Sequence, residues 1–124
     1  MIRHAIIGTG FGATVHLPAF LASKSIEVVA LCDNGSGRAV SLSPAGVKPY
    51  HDWRQMLDKV RPDSVSIVVP PIYQKEIGLE VCRRGIHMLC EKPVGTNFEH
   101  CLELAQMTEI AHVIGAVGFQ FRYE

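Results

Sequence analysis

The chain has 124 residues, 48% hydrophobic and 19% charged, the composition of one ordinary globular domain with a single core. Twelve basic side chains balance twelve acidic ones, so nothing draws the chain towards nucleic acid or an anionic membrane, which need a basic excess or stripe. No apolar run approaches the roughly 20 residues of a membrane span, and Met1 to Gly8 lacks the pattern of a signal peptide, so the cytoplasm is the expected compartment.

Apolar strand-like runs alternate with helical stretches. Residues 3–7 predict a short buried strand and residues 12–23 a helix. Residues 26–32, rich in β-branched side chains, predict a second strand. A polar, glycine-containing segment follows from Asp33, with a short helix over 36–43 that Pro44 and Gly46 stop. Residues 47–50 predict a brief third strand. Asp52 is placed to cap a helix through Lys59, and Arg61-Pro62-Asp63 reads as a turn. Ser64–Val69 predicts a continuous buried strand ended by Pro70 and Pro71. A helix is expected from Tyr73 to Arg84, apolar at Ile77, Val81 and Cys82, with Gly85 ending it in the left-handed conformation. Residues 86–90 predict a fifth strand. Thr96 and Glu99 have capping-box spacing for a helix over 97–111, and residues 113–119 predict a sixth strand. The alternation implies an α/β fold, a three-layer, doubly wound parallel sheet of about six strands.

Cys32, Cys82, Cys90 and Cys101 show neither a CxxC pair nor a disulfide-scaffold spacing, and each is expected to pack as a reduced, small hydrophobe. The histidines (His4, His16, His51, His87, His100, His112) form no HxxxH or HExxH group, so no metal site is expected. His16 is expected to be a packing or surface residue of the first helix. Arg83 and Arg84 are placed to complement the carbonyl end of their helix.

Gly8-Thr9-Gly10-Phe11-Gly12-Ala13 follows the first strand directly and opens the first helix, with Gly8, Gly10 and Ala13 in the positions of G-x-G-x-x-[GA]. Gly8 lets the chain turn off the strand, Gly10 leaves room for a pyrophosphate against the backbone, and Ala13 keeps the helix close to the sheet. The N–H groups of the helix start then face the phosphates. Asp33 lies 25 residues after Gly8, at the end of the second strand. Its carboxylate can accept both hydroxyls of an adenosine ribose and would repel a 2′-phosphate, or it is a plain turn residue before Asn34-Gly35. Arg38 can stack on adenine, pair with a 2′-phosphate or lie solvated. NAD is therefore the expected cofactor, with NADP as the alternative.

Two further segments carry a resemblance. Val68-Val69-Pro70-Pro71 closes the fourth strand and Cys90-Glu91-Lys92-Pro93 the fifth. With the glycine loop and Gly118-Phe119-Gln120-Phe121-Arg122-Tyr123, they make the chain similar to the glucose–fructose oxidoreductase and inositol dehydrogenase family (Gfo/Idh/MocA), over essentially its whole length. The resemblance implies an NAD(P)-dependent oxidoreductase acting on the carbinol or carbonyl group of a sugar, cyclitol or similar small molecule. It implies that Lys92 is catalytic, reaching the nicotinamide edge and the reacting oxygen, where a cation steadies negative charge and serves a proton relay. Glu91 and Pro93 would shape that loop, and Val69, Pro70 and Pro71 would set backbone beside the nicotinamide ribose. Two positions depart from the family's pattern: Val69 stands where threonine is frequent, and Gln74 where histidine is.

The resemblance divides the chain into a dinucleotide-binding domain over 1–119 and the start of a truncated substrate domain over 120–124. On this reading the 124 residues are catalytically incomplete by themselves, and exposed strand edges favour self-association into a homo-oligomer. The alternatives are a non-catalytic nucleotide-binding or regulatory module, and a short protein that recruits a partner as its substrate half.

Overall fold

Strand β1 (Ile2–Ile7) pairs in parallel with β2 (Ile26–Cys32) on one side and β4 (Ser64–Ile67) on the other, in a computed structural model that describes residues 1–119. Outside β2 lies β3 (Lys48–Tyr50), and outside β4 lie β5 (His87–Glu91) and β6 (Gly115–Gly118), giving the all-parallel order β3-β2-β1-β4-β5-β6. The chain leaves β1 for β2 on one side and later returns to β4 on the other. The carboxyl ends of β1 and β4 therefore part at the sheet's centre, where open α/β sheets hold their ligands. The parallel α/β sheet expected from the alternation of elements is borne out.

Alternation along the strands sorts the core into two layers. Ala5, Ile7, Ala30, Cys32, Val65 and Ile67 point to the face covered by α3 (Trp53–Val60), α4 (Pro71–Arg83) and α5 (Phe98–Ala111). Ile6, Val28 and Leu31 pack on the other face against Leu17 and Phe20 of α1 (Leu17–Leu21) and Ala39 of α2 (Arg38–Leu42). A register shift between His4 and Ala5 lets Val28 and Leu31 share that face although they are three apart.

Element boundaries differ from the sequence-based expectation where proline acts. The expected helix over 12–23 splits into a π-helical turn (Gly12–His16) and the short α1. Pro18 has no N–H, so the ladder widens and the Leu17 N–H bonds to the Gly12 carbonyl. Strand β4 stops at Ile67, two residues early, and α4 starts at Pro71 rather than Tyr73. Proline suits a first helical position because its φ is preset and its missing N–H would lack a partner anyway. Helix α5 is capped by Asn97, whose side chain accepts from the His100 N–H, and not by Thr96. Strands β5 and β6 run one residue later and three residues shorter than expected, respectively. Gly85 does end α4's turn in the left-handed region, at φ 71°.

Of the cysteines, Cys32, Cys82 and Cys90 are buried, whereas Cys101 is exposed on α5, contrary to expectation. Helix α5 buries only Leu104 deeply and leaves Phe98 and Ile110 exposed. Gln120 to Glu124, including the end of the Gly118–Tyr123 motif and the expected start of a second domain, lie outside the described residues. No described helix is long and apolar enough to cross a membrane.

Candidate functional site

A cleft of about 1330 Å³ opens across the carboxyl ends of β1, β2, β4 and β5. The glycine loop forms its floor, Asp33, Arg38 and His51 one end, and Val68, Val69, Pro70, Glu91 and Lys92 the other.

The loop's first two glycines do different work. Gly8 has φ 120°, and a Cβ there would sit 2.0 Å from the Val68 carbonyl oxygen, so only glycine fits between β1 and β4. A Cβ on Gly10 would meet nothing within 4 Å; it would project into open space. Gly8 thus serves the fold, while Gly10 keeps the cleft clear. Gly12, Ala13 and Pro71 do not line the cleft. At Gly12 a Cβ would lie 3.1 Å from Ile6, and Ala13 packs against the second core layer, to which Ile6 belongs. Pro71 is the first residue of α4. Thr9, Gly10 and Phe11 line the floor as expected, with Phe11 exposed.

At the β2 end, Asp33 is tied down by the protein itself. Its Oδ1 accepts from the Gly35 N–H at 2.8 Å and its Oδ2 from the Ala39 N–H at 2.9 Å. His51 Nδ1 spans both oxygens, at 3.1 and 2.9 Å. Burial pushes against ionisation here, but the Ala39 and Gly35 amides and His51 outweigh it and hold the carboxyl below its ordinary range. An ionised Asp33 only accepts, so His51 Nδ1 carries the proton and donates. The carboxylate is wholly enclosed, whereas His51 is 53% exposed. The expected presentation of a free Asp33 carboxylate to a ribose is therefore corrected: His51 stands over it. Arg38 is exposed on the cleft rim at the start of α2.

At the β5 end a second acid–histidine pair is buried on both sides. His16 Nε2 lies 2.9 Å from Glu91 Oε1, with the side chains only 7% and 12% exposed. Behind it runs a line of polar groups: His16 Nδ1 to Ser66 Oγ at 3.1 Å, Ser66 to His4 Nε2 at 2.8 Å, and His4 Nδ1 to Ser64 Oγ at 2.7 Å. One assignment satisfies every member. His16 donates to the carboxylate, Ser66 donates to His16, His4 donates to Ser66, and Ser64 donates to His4. Burial, then the neighbouring His16, lowers His4 to about 4, which keeps it neutral as this assignment requires. His16 is thus buried structure beneath the cleft, and its separation from Glu91 by 75 positions hid the pairing from sequence.

Gln74, fully buried in α4, completes this end. Its amide nitrogen donates to the Glu91 carbonyl at 2.9 Å, and its side-chain oxygen accepts from the Gly95 N–H at 2.6 Å. It straps down both sides of the turn that carries Lys92, whose peptide bond to Pro93 is cis. Lys92 itself is exposed on the cleft wall, and its backbone N–H donates to Glu91 Oε2 at 3.3 Å. Cys32 and Cys90, beneath the two acids, are pushed up to about 12 by burial and then by those neighbouring carboxylates, which leaves them protonated and inert. Among the described residues no three His, Cys, Asp or Glu side chains converge as metal ligands.

The family model matching residues 2–119 is that of an oxidoreductase family with an NAD-binding Rossmann fold. The chain belongs to that family. Among the family's characterised members, the D-glucoside 3-dehydrogenase of Escherichia coli is 30% identical over 125 residues, covering 98% of this chain and 36% of that protein. The rhizopine catabolism protein MocA of Rhizobium meliloti is 27% identical over 121 residues, with 98% and 38% coverage. The crystal structure of myo-inositol 2-dehydrogenase from Lactobacillus plantarum matches with a TM-score of 0.86 and 27% identity, over 99% of this chain and 38% of that one. The chain thus spans little more than a third of the length of these relatives. The expected family resemblance is borne out, and the matched part is the family's NAD-binding domain.

Proposed function

We propose that the cleft holds a nicotinamide dinucleotide, NAD or NADP, in an oxidoreductase acting on the carbinol or carbonyl carbon of a sugar, cyclitol or similar small molecule. One observation carries the reading: Gly10 faces open space in a cleft at the carboxyl ends of the central strands, with Lys92 on its far wall. The residues present fit that group, since the backbone at Gly10 is bare where a pyrophosphate would approach.

Gly8, Thr9, Gly10 and Phe11 would cradle the phosphates. The Asp33–His51 end, with Arg38, would take the adenosine, and Val69, Pro70, Glu91 and Lys92 the nicotinamide half. When bound, the dinucleotide supplies a hydride acceptor or donor. The Lys92 ammonium would steady negative charge on the substrate oxygen and pass its proton on. Gln74 and the His16–Glu91 pair hold the turn that aims it. The sugar or cyclitol assignment draws on relatives named as D-glucoside 3-dehydrogenase and myo-inositol 2-dehydrogenase. Residues 1–119 would form the cofactor domain and 120–124 the start of the substrate domain, in a cytoplasmic protein.

Titration with NADH, followed by its fluorescence or by calorimetry, tests the reading. Binding in the micromolar-to-millimolar range is expected. Gly10→Val should abolish it while leaving the thermal transition in place, because the added side chain enters only the cleft. No binding at several millimolar overturns the assignment.

A further inference from the structure

At the β2 end of the cleft, the acid that would discriminate against a 2′-phosphate is not what a ligand meets. Three donors occupy the two oxygens of Asp33: the amides of Gly35 and Ala39 and the ring of His51. A carboxylate offers about four lone-pair sites, so little remains for a ribose diol. The two amides are backbone and cannot leave without dismantling the start of α2. His51 differs: it sits between β3 and α3, and half its surface is already in the open. It is the one donor of the three that is a side chain, and it lines the cleft together with Asp33.

The other side chains at this rim carry both signs of charge. Arg38 brings a cation, and Ser36 a hydroxyl. The exposed Asp52 spends one carboxylate oxygen on the Arg54 N–H as the cap of α3. A ligand entering here meets the His51 imidazole and the Arg38 guanidinium, with Asp52 beside them, while the Asp33 carboxylate is enclosed.

Resting on the dinucleotide reading above, we infer that His51 is a specificity-determining residue: by shielding Asp33 beside Arg38 it lets the adenosine pocket accept a ribose with or without a 2′-phosphate. Removing the imidazole uncovers the acid, which then gains the ribose hydroxyls as partners and repels the phosphate. The Asp33 carboxylate selects for NAD only when His51 is gone.

Paired titrations of the intact 124-residue chain with NADH and NADPH decide this, repeated with ADP-ribose and its 2′-phosphate to isolate the adenosine end. The wild type should bind both forms with dissociation constants within about tenfold of each other, a difference of about 1.4 kcal/mol or less. His51→Ala should shift the ratio towards the unphosphorylated form by about tenfold or more. His51→Gln, which keeps a donor over the acid, should stay near the wild-type ratio. Arg38→Ala should weaken the 2′-phosphorylated ligands and spare the others. Thermal melts of each variant establish that it is folded; the half-exposed His51 makes a folding defect in the glutamine variant a contradiction of the geometry as well. A wild type that already rejects the 2′-phosphate by a hundredfold, or a His51→Ala ratio that does not move, overturns the inference while leaving dinucleotide binding intact. If the wild type binds none of the four ligands, the dinucleotide reading itself fails.

Discussion

The two ends of the cleft are built from the same pair of side-chain types, half open at one end and buried at the other. At the β2 end the acid is enclosed and its histidine half in solvent. At the β5 end both partners are buried, and the histidine leads back through Ser66 and His4 to Ser64. A buried, hydrogen-bonded line holds a turn in place, because each member left alone would cost its desolvation. A pair with one member in water can open. On the proposed reading, the buried line suits the end that carries Lys92 and the half-open pair the end that takes the adenosine.

The largest way to break this comparison is to damage the floor that joins both ends. Gly8→Ala would force a Cβ to 2.0 Å from the Val68 oxygen at φ 120°. The backbone conformation alone costs about 1–3 kcal/mol, and the clash adds to it against a total stability of about 5–15 kcal/mol. Urea denaturation should show a loss of several kcal/mol, and near-wild-type stability would contradict the packing of β1 against β4.

Acid titration separates the ends next. His4 is lowered from 6.5 to about 4 in the folded protein. The unfolded chain therefore binds the proton more tightly, so His4's contribution is fully present above pH 6.5 and is lost as pH falls towards 4, amounting to about 3 kcal/mol. Asp33 is lowered from its ordinary 3.8, so its contribution holds above that pH and is lost only in more acid solution. Stability against pH should fall in these two windows, and His4→Gln should flatten the first alone. A single transition below pH 4 would mean that the buried line is not neutral.

Smaller effects sharpen the contrast. Gln74→Leu strands the Gly95 N–H and the Glu91 carbonyl and should cost about 1–3 kcal/mol by urea denaturation. Glu91→Ala leaves His16 buried without its acceptor and should cost a similar amount. His51→Ala should cost the least, about 0.5 kcal/mol, as for a surface position. If the His51 and Glu91 variants lose equal stability, the two ends do not differ as their exposures indicate.

Much of this molecule can be read along the chain, because its signals are local. Runs of β-branched and apolar residues mark the central strands, the glycine loop sits between a strand and a helix, and proline and glycine punctuate the boundaries. The family also declares itself in short segments, the glycine loop and Glu91-Lys92-Pro93, whose meaning lies in residue order. What only tertiary structure decides is which polar groups meet. His16 and Glu91 are 75 positions apart, His4 and Ser66 62, and Asp33 and His51 18. Parallel pairing of β1 with β4 and of β4 with β5 brings the first two pairs together, and the pairing of β2 with β3 the third. No local pattern encodes such a contact, since the donors and acceptors of a buried pair are chosen by strand register and helix placement. The same register turned Asp33 from a free ribose acceptor into a shielded one, and made His16 a buried partner of the loop that carries Lys92.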